Sequence, residues 1–313
     1  MKYEKLLISS GGRVRPWGES GVQSLVYRLQ TLDDSDRLKE NLSKIREPIV
    51  IGSSFIGLEF LEIFVLNKIS PTLLLDRPFF FSRLLEEQGG GVMRRNFERH
   101  GIKVLSGDAV ETVNILATGK AAVITRLGHN LESDALALGI GMEKNPEFLE
   151  GSGIEKGHLG IRVNEFLETS SENIWAAGDV TEFYDVILEK YRSVGNWTNA
   201  FLQGQRAGLN MAGERKELRA VSAYSITNLG FQITALGDCE EKEGVESIIR
   251  LDFYRNLYER FFLRKGVLVG AVLINCFKDK TVLTKLIENK IKLDSYPDEL
   301  KNFDFDLREI KIV

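Results

Sequence analysis

The chain has 313 residues, of which 43% are hydrophobic and 27% charged, an ordinary composition for a globular protein of two or three domains. Its formal net charge of -4 gives no reason to expect binding to nucleic acid or to an anionic membrane surface. No apolar run has the length of a membrane span, and the N-terminus lacks the cleavage site of a signal peptide. We therefore expect a cytoplasmic protein that binds neither nucleic acid nor membrane.

Cysteine and histidine usage excludes two classes of site. Cys239 and Cys276 are far apart in sequence and form no CxxC pair, which suits a reducing compartment and argues against a disulfide framework. His100, His129 and His158 show no metal-ligand spacing. We expect neither a metal site nor a histidine-based catalytic site.

The first elements alternate between strand and helix. Residues 3–8 predict a short buried strand that ends in a turn at residues 9–12. Residues 31–44 predict a helix with aspartates in its first turn, where they favour the positive end of the helix dipole. Pro48 ends helical structure, and residues 49–52 (IVIG) predict a buried strand.

A doubly wound domain is predicted from residue 23 to residue 145. A helix starts at Phe55, residues 72–76 (TLLLD) form a strand, and residues 84–100 form a helix whose middle is weakened by Gly89–Gly91, at about 1 kcal/mol per glycine. Further strands are predicted over residues 102–107, 110–115, 121–127 and 134–141. Buried strands that alternate with helices indicate a parallel sheet covered by helices.

The pattern of predicted elements changes in the second half of the chain. Residues 160–180 predict two short strands around a polar turn, and residues 196–213 predict a helix with Gly213 as its C-cap. After about residue 217 the aromatic and β-branched segments with glycine turns predict an antiparallel sheet. Residues 293–313 predict a polar tail with scattered apolar residues.

The segment GSSFIG, residues 52–57, follows a strand and opens a helix, which is the context of the dinucleotide-binding pattern G-x-G-x-x-G. Gly52 allows the tight turn, Gly57 allows close packing of helix and strand, and the helix N-terminus faces a pyrophosphate. Ser54 replaces the middle glycine, so it either crowds the pyrophosphate or donates a hydrogen bond to it, and we expect a lower affinity for NADH. Asp76 ends the next strand and favours NADH over NADPH, a preference that the adjacent Arg77 softens. The alternative is a glycine turn in an ordinary βαβ unit.

The chain resembles the FAD-dependent pyridine nucleotide-disulfide oxidoreductase superfamily, in the branch of NADH oxidases, ferredoxin and rubredoxin reductases and nitrite reductases. YEKLLISSGGRVRP resembles the family segment that enters the nicotinamide domain, and IVIGSSFIGLEFLE resembles its nicotinamide fingerprint. LESDALALGIGMEKNPEF, NIWAAGDVTEF and WTNAFLQGQRAGLNMAG resemble the segment that leaves that domain, the second flavin motif and the helix after it. Residues from SAYSITNLG to VLINC resemble the C-terminal interface domain. The resemblance runs in collinear order over nearly the whole chain.

The resemblance implies two groups of cofactor-binding residues. The NADH group is Gly52, Ser53, Ser54, Phe55, Ile56, Gly57, Glu59, Asp76, Arg77, Ile140 and Gly141. The FAD group is Ser10, Gly11, Arg15, Gly178, Asp179 and Trp197.

Individual roles follow from the same resemblance. Phe55 is expected to gate the flavin face, and Glu59 to position the nicotinamide; they are the two predicted catalytic residues, and neither is assigned as an acid or base. Asp179 is expected to accept a hydrogen bond from a ribityl hydroxyl. The structural alternatives are a core position for Trp197, a solvated helix position for Glu59 and a turn position for Asp179.

Three domains are predicted in all, giving an α/β fold with a doubly wound nucleotide-binding domain. They are an NAD(H)-binding domain over 23–145, a partial FAD-type domain over 1–22 and 146–215, and a C-terminal antiparallel α+β interface or dimerisation domain over 216–313. The family's first G-x-G-x-x-G, which binds the ADP half of FAD, does not precede Tyr3. That unit is expected in a separate subunit, unless the chain is a shortened piece or has given up flavin.

The predicted function is that of a subunit of an NADH-dependent flavoprotein oxidoreductase. Hydride passes from NADH to FAD, and then to an electron acceptor. The expected partner is a small N-terminal FAD-domain-like subunit or an electron-acceptor protein, in a dimer or hetero-oligomer. The alternative is a catalytically silent nucleotide-binding or scaffold subunit. A dehydrogenase with direct hydride transfer to substrate ranks last, because the sequence offers no histidine or lysine acid-base constellation.

Overall fold

A computed structural model of the chain describes residues 2–18, 20–144, 147–296 and 298–311. The chain forms two compact units. The first unit comprises Met1–Arg13, Glu143–Ile226 and Gln232–Val313, and the second comprises Val14–Met142 and Thr227–Phe231. The division into three domains stays a prediction, and its boundary between residues 145 and 146 lies outside the described residues.

The elements are numbered in chain order. The helices are α1 (Leu32–Asn41), α2 (Phe55–Leu66), α3 (Glu87–Arg99), α4 (Trp197–Met211) and α5 (Lys280–Glu288). The strands are β1 (Leu6–Ile8), β2 (Gly12–Val14), β3 (Val26–Tyr27), β4 (Pro48–Ile51), β5 (Thr72–Leu75), β6 (Lys103–Ser106), β7 (Val110–Ile115), β8 (Ala121–Thr125), β9 (Asn130–Ser133), β10 (Ala135–Leu138), β11 (Met142–Lys144), β12 (Ile161–Val163), β13 (Ile174–Ala176), β14 (Thr181–Asp185), β15 (Lys190–Arg192), β16 (Ala223–Asn228), β17 (Phe231–Gly237), β18 (Val245–Asp252), β19 (Leu257–Arg264) and β20 (Val267–Ile274). Within the described residues, no helix is both long enough and apolar enough to cross a membrane.

The second unit is built on a parallel sheet in the strand order β3-β10-β4-β5-β6. Helices α2 and α3 connect β4 to β5 and β5 to β6, so the predicted doubly wound fold is confirmed. Helix α2 buries Leu58, Phe60, Leu61 and Phe64, because its apolar residues recur at helical spacing. The chain's order of buried strand and apolar helix therefore determines the layered arrangement.

The strands predicted over residues 110–115 and 121–127 form a sheet of their own. They are β7 and β8, which pair antiparallel with each other, and β8 also pairs antiparallel with β9, a strand that the sequence did not predict. Val113 and Val123 from this sheet share a hydrophobic cluster with Ile49, Leu74 and Leu136 of the parallel sheet. The meander therefore covers part of the parallel sheet where a helix would otherwise lie.

Helix α3 begins later than predicted, at Glu87 rather than Leu84. The Glu86 carboxylate accepts the N–H groups of Gln88 at 2.7 Å and Gly89 at 2.9 Å, and so caps the helix. The three glycines are consequently the third to fifth residues of the helix, near its start, and the prediction that they lie in its middle was wrong. Gly90 is required there, because a Cβ at this position would lie 2.5 Å from the ring of Phe79.

The first unit contains a two-stranded parallel sheet of β1 and β13 and a three-stranded sheet in the order β12-β14-β15. The two short strands predicted within 160–180 are present as β12 and β13, whereas β2, β14 and β15 were missed. Helix α4 follows, with Asn196 as its N-cap. The predicted antiparallel sheet is also present, in the order β16-β17-β20-β19-β18.

The C-terminal residues predicted as a polar tail are packed onto this antiparallel sheet. Leu300, Leu307 and Ile310 are buried in the same cluster as Phe261 of β19. Arg250 of β18, itself buried, donates hydrogen bonds to the backbone oxygens of residues 302 and 305 at 3.1 and 3.2 Å. The scattered apolar residues and one buried guanidinium therefore hold the segment in place.

Candidate functional site

A cleft of about 720 Å³ lies in the second unit, where the parallel strands β10, β4, β5 and β6 end. Open α/β sheets bind ligands outside the carboxyl ends of their strands. The cleft brings together most of the residues that the sequence assigned to the nucleotide. They are Gly52, Ser53, Ser54, Phe55, Asp76, Arg77, Ile140 and Gly141.

Three glycines allow helix α2 to lie against the strand ends. Gly52 has a φ of +100°, and a Cβ there would lie 2.5 Å from the carbonyl oxygen of Gly139. A Cβ on Gly139 would lie 2.7 Å from the Cα of Gly57. The two fingerprint glycines therefore need a third, Gly139, which the sequence reading did not single out. This close approach sets the position of the α2 N-terminus over the cleft.

Ser54 is the N-cap of α2. Its Oγ accepts the N–H of Gly57 at 3.3 Å, and its own N–H donates to the Gly139 oxygen at 3.2 Å. The hydroxyl thus has a structural role that neither sequence-based alternative included. The N-terminus of a helix carries positive dipole charge, so the first turn of α2 suits an anion.

Asp76 and Arg77 follow β5 and line the cleft next to the fingerprint. The Arg77 Nε lies 3.7 Å from an Asp76 carboxylate oxygen, and both side chains are exposed, by 58% and 60%. A solvent-exposed pair at this distance is weak. Asp76 therefore stays available to a ribose hydroxyl.

An aromatic group forms one wall of the cleft. The rings of Phe55 and Phe81 have centroids 4.6 Å apart, and Phe81 also packs edge-on against Phe80 at 4.5 Å. Phe81 has a φ of +54°, a left-handed conformation that is strained for an aromatic residue. The ring of Phe55, the predicted gate residue, thus packs against the ring of Phe81, and Phe81 has an unusual backbone conformation.

Three predicted nucleotide residues do not line the cleft in the structure: Ile56, Gly57 and Glu59. Gly57 instead packs against the strand ends. Glu59 is half-buried on α2, and burial together with the nearby Glu62 carboxylate raises its pKa. Its role near the nicotinamide stays a prediction.

The cleft also contains residues that the sequence reading missed or assigned elsewhere. Arg15, predicted for the flavin, lines this cleft in the second unit. Trp17, Arg83, Asp108 and Arg126 line it without having been predicted. The position of Asp108 shortly after the predicted strand β6 was the available signal, since strand ends in a parallel sheet meet at one edge.

The predicted flavin residues Ser10, Gly11, Gly178, Asp179 and Trp197 belong to the first unit. The parallel register pairs Ile8 with Ala176, and the N–H of Ala177 donates to the oxygen of Ile8 at 3.0 Å. The segments after the two strands, which contain residues 10–11 and 178–179, therefore leave the same edge of the sheet. Gly178 has a φ of +83°, which favours glycine.

Asp179 is a half-buried carboxylate, and burial raises its pKa although the nearby Lys144 ammonium lowers it. Lys144 donates to the backbone oxygen of Asp179 and to the Ser193 hydroxyl. The Asp179 carboxylate itself accepts no hydrogen bond from the described part of the chain. A half-buried carboxylate that accepts no hydrogen bond from the protein suits a ligand hydroxyl, which is what a ribityl chain offers.

Gln203 of α4 holds the loop that contains Gly178. Its amide oxygen accepts the N–H of Gly178 at 2.7 Å and the hydroxyl of Thr181 at 3.0 Å. The loop conformation is thus fixed before any ligand binds.

Trp197, the first residue of α4, is 81% exposed, so its core alternative is wrong. Its ring stacks on that of Phe201 at 5.9 Å. Two exposed aromatic rings therefore stand one helical turn apart at the start of α4.

Two protein-family models match the chain. Residues 1–204 match the family described as pyridine nucleotide-disulphide oxidoreductase, and residues 225–291 match the rubredoxin NAD+ reductase C-terminal domain. The NADH-dependent phenylglyoxylate dehydrogenase subunit epsilon of Aromatoleum evansii is 27% identical over 304 residues, which are 93% of this chain and 70% of that protein. The NADH-rubredoxin oxidoreductase of Clostridium acetobutylicum is 24% identical over 296 residues, 94% of this chain and 72% of that protein.

Solved structures support the fold. The ferredoxin reductase for the CYP199A2 system from Rhodopseudomonas palustris superposes with a TM-score of 0.87 at 22% identity. The match covers 99% of this chain and 76% of that one.

Proposed function

The chain belongs to the pyridine nucleotide-disulphide oxidoreductase family, and on that premise we propose that it is an NADH-dependent flavoprotein oxidoreductase. It binds NADH in the cleft of the second unit and transfers a hydride to a flavin held by the first. The observation that carries the proposal is the cleft itself. It combines a glycine turn, the capped N-terminus of α2 and Asp76 after the next strand.

The segments that follow three of the strands each contact a different part of the nucleotide. The α2 N-terminus faces the pyrophosphate, since its first-turn N–H groups and dipole favour negative charge. Asp76 accepts the ribose hydroxyls of the adenosine half. Ile140 and Gly141 after β10 and the ring of Phe55 then border the nicotinamide half.

The first unit holds the ribityl and ring end of the flavin. Asp179 accepts a ribityl hydroxyl, and the fixed loop at Gly178 allows close approach of the ligand to the backbone. When bound, a flavin accepts the hydride and passes its electrons on to a second acceptor. The residues of the chain bind and orient, and none has to donate or remove a proton.

A second polypeptide is proposed to complete the flavin site and to receive the electrons. Within the described residues, β1 has a strand neighbour on one side only, which leaves a strand edge for further pairing. One of the relatives is named as a subunit, and another as a reductase of rubredoxin. The exposed rings of Trp197 and Phe201 offer a contact surface near the start of α4.

Flavin content tests this proposal directly. The tagged chain is purified together with the proteins that accompany it, and bound flavin is released and quantified for wild type, Asp179→Asn and Asp36→Asn. Asp36 is an exposed carboxylate on α1 and serves as the matched control. We expect bound flavin in wild type and in the control, and weaker flavin binding in Asp179→Asn by about tenfold, the value of a hydrogen bond to a charged acceptor. Absence of flavin from every preparation, with no uptake of added FAD, would refute the proposal.

A further inference from the structure

A second cavity, of about 440 Å³, lies beside β6 in the second unit, and we call it the edge cavity. Its wall includes the rings of Phe79, Phe80 and Phe97, and α3 contributes Gly90 and Gly91. Among the described residues, it shares no lining residue with the nucleotide cleft. The edge cavity is therefore a separate site, and its aromatic walls suit a large apolar group.

One of the two glycines leaves space that the chain itself does not use. Gly90 is explained by the ring of Phe79, which would lie 2.5 Å from a Cβ. A Cβ on Gly91, in contrast, would meet nothing within 4 Å. Glycine is unfavourable inside a helix, and no contact within the described residues requires it at this position. The open position at Gly91 leaves room in the edge cavity for a group from outside the chain.

Strand β6 borders the edge cavity and is the last strand of the parallel sheet, so one of its edges has no partner among the described strands. The N–H of Lys103 donates to the oxygen of Pro71 at 3.1 Å and so faces β5. Successive residues of a strand direct their backbone groups to opposite edges, so the N–H and C=O groups of Val104 and Ser106 face away from β5. Val104 and Ser106 are also the two residues of β6 that line the edge cavity. The unpaired edge and the cavity are therefore adjacent.

A strand added to β6 would direct alternate side chains toward the edge cavity. Side chains of paired residues in neighbouring strands lie on the same face of a sheet. Residues paired with Val104 and Ser106 would therefore have their side chains on the face where the cavity lies. Backbone hydrogen bonds then supply affinity, and the cavity selects the side chain. A small molecule would fill the cavity without using the backbone groups of the edge, so an extended peptide fits the site better.

The charges around β6 indicate the chemistry of that peptide. Lys103 is the first residue of β6 and Arg99 the last of α3, and both are exposed. Neither side chain has a hydrogen bond or an ion pair within the part of the chain that is described. A second copy of β6 would bring further lysine and arginine side chains to the same edge, whereas an acidic residue would attract those already present. The charges therefore favour an acidic segment of another polypeptide over a second copy of this chain.

We propose that β6 and the edge cavity bind an extended segment of a partner polypeptide. The segment adds a strand to β6, places a large apolar side chain in the edge cavity and has an acidic residue beside Lys103. This inference goes beyond the proposed function and does not depend on it, because the site is separate from the nucleotide cleft.

Selection from a random peptide library tests the chemistry of the segment. A phage-displayed library of peptides of about seven residues, slightly longer than a usual strand, is selected on the full chain. We expect enriched sequences with large apolar residues at alternate positions and an acidic residue at one end. One enriched sequence is synthesised with a fluorescent label, and its affinity is measured by anisotropy. A selection that enriches no sequence, or only sequences without this pattern, would overturn the proposal.

Substitutions at Val104 test strand pairing. Val104→Pro removes the outward N–H and should weaken binding of the labelled peptide by about tenfold or more, because its ring also obstructs an added strand. The parallel sheet should tolerate this proline, since proline is accepted where the N–H of an edge strand faces solvent. Val104→Thr keeps the N–H and nearly the shape, and should retain most of the affinity. Equal peptide binding by the two variants would overturn the proposal.

A substitution at Gly91 tests the edge cavity independently of the strand. Gly91→Leu fills part of the cavity and should weaken peptide binding by about tenfold. Gln88→Leu adds the same side chain at an exposed position of α3 outside the cavity and should leave peptide binding unchanged. Thermal unfolding and NADH titration confirm that each variant is folded. Peptide binding that is unchanged in Gly91→Leu, or is lost equally in Gln88→Leu, would overturn the assignment to the cavity.

The acidic character of the segment has its own test. Lys103→Gln should weaken binding of the labelled peptide by about threefold, and the affinity of wild type should fall as salt is raised. Peptide binding that depends neither on Lys103 nor on salt would overturn the acidic assignment. Unchanged NADH binding with no peptide binding would refute this inference alone and leave the proposed function in place.

Discussion

The hydroxyl oxygen of Ser54 accepts a hydrogen bond from the backbone N–H of Gly57 at 3.3 Å, and this bond caps the N-terminus of α2 at the cleft. The residue that departs from the fingerprint is thus the cap of the helix that the fingerprint positions. Ser54 retains the turn geometry, because its φ of -90° and ψ of 169° are ordinary extended values.

Substitutions at Ser54 test this capping role. Ser54→Ala should lower the free energy of unfolding by about 1 kcal/mol, whereas Ser54→Gly should lower it by only a few tenths. Urea denaturation of the two variants beside wild type gives both values. Equal losses for alanine and glycine would show that the hydroxyl does not cap the helix.

Gly139 should tolerate no side chain. Gly139→Ala places a Cβ 2.7 Å from the Cα and 2.8 Å from the nitrogen of Gly57, both backbone atoms that cannot rotate away. We expect a loss of about 1 to 3 kcal/mol in unfolding free energy, together with weaker nucleotide binding as α2 shifts. Thermal unfolding and NADH titration measure the two effects.

Gly91 provides the matched control for that substitution. A Cβ on Gly91 of α3 meets nothing within 4 Å. Gly91→Ala should therefore stabilise the protein by about 0.5 to 1 kcal/mol through helix propensity. A Gly139→Ala variant as stable as Gly91→Ala would contradict the close approach of the three glycines.

The part of this site that lies on local, regularly patterned elements could be predicted from the sequence, and the part that depends on irregular or distant segments could not. Strands β4 and β5 and helix α2 are local, strongly patterned elements, so the cleft residues after them were predictable. Arg83 and Phe81 lie in an irregular segment where Phe81 takes a positive φ, which sequence patterns do not reveal for an aromatic residue. Arg126 reaches the cleft through pairing of a meander far along the chain, a non-local contact.

Asp108 should make stability depend on pH. Burial alone would raise the pKa of Asp108, but hydrogen bonds from Thr125, His129 and the backbone N–H groups of Leu127 and Ala109 outweigh burial and lower it. A lowered folded pKa means that the carboxylate stabilises the fold at neutral pH and that this contribution disappears as pH falls through the folded pKa.

The variant Asp108→Asn isolates that contribution. At neutral pH it should cost about 2 kcal/mol of unfolding free energy, since it removes hydrogen bonds to a buried charge. The difference from wild type should shrink as the pH falls below about 5. Urea titrations at several pH values measure it, and a difference that stays constant or grows toward acid would reverse the assigned sign.

Asp76 should determine how strongly NADH is preferred. Asp76→Asn removes the negative charge while nearly keeping the shape, so NADH affinity should fall by about three- to tenfold as hydrogen bonds to the ribose weaken. NADPH affinity should rise, because the repulsion of the 2′-phosphate is lost. Parallel titrations with the two nucleotides give the ratio of NADH to NADPH affinity. A ratio equal to that of wild type would show that Asp76 does not contact the ribose.

Reduction of the flavin by NADH tests the central claim most directly. The chain, purified with its accompanying proteins or reconstituted with FAD, is titrated anaerobically with NADH while the visible flavin absorbance is followed. The account predicts that the flavin band bleaches with close to one equivalent of NADH, because one hydride carries the two electrons that a flavin accepts. A flavin band that is present but unchanged by excess NADH would contradict the account.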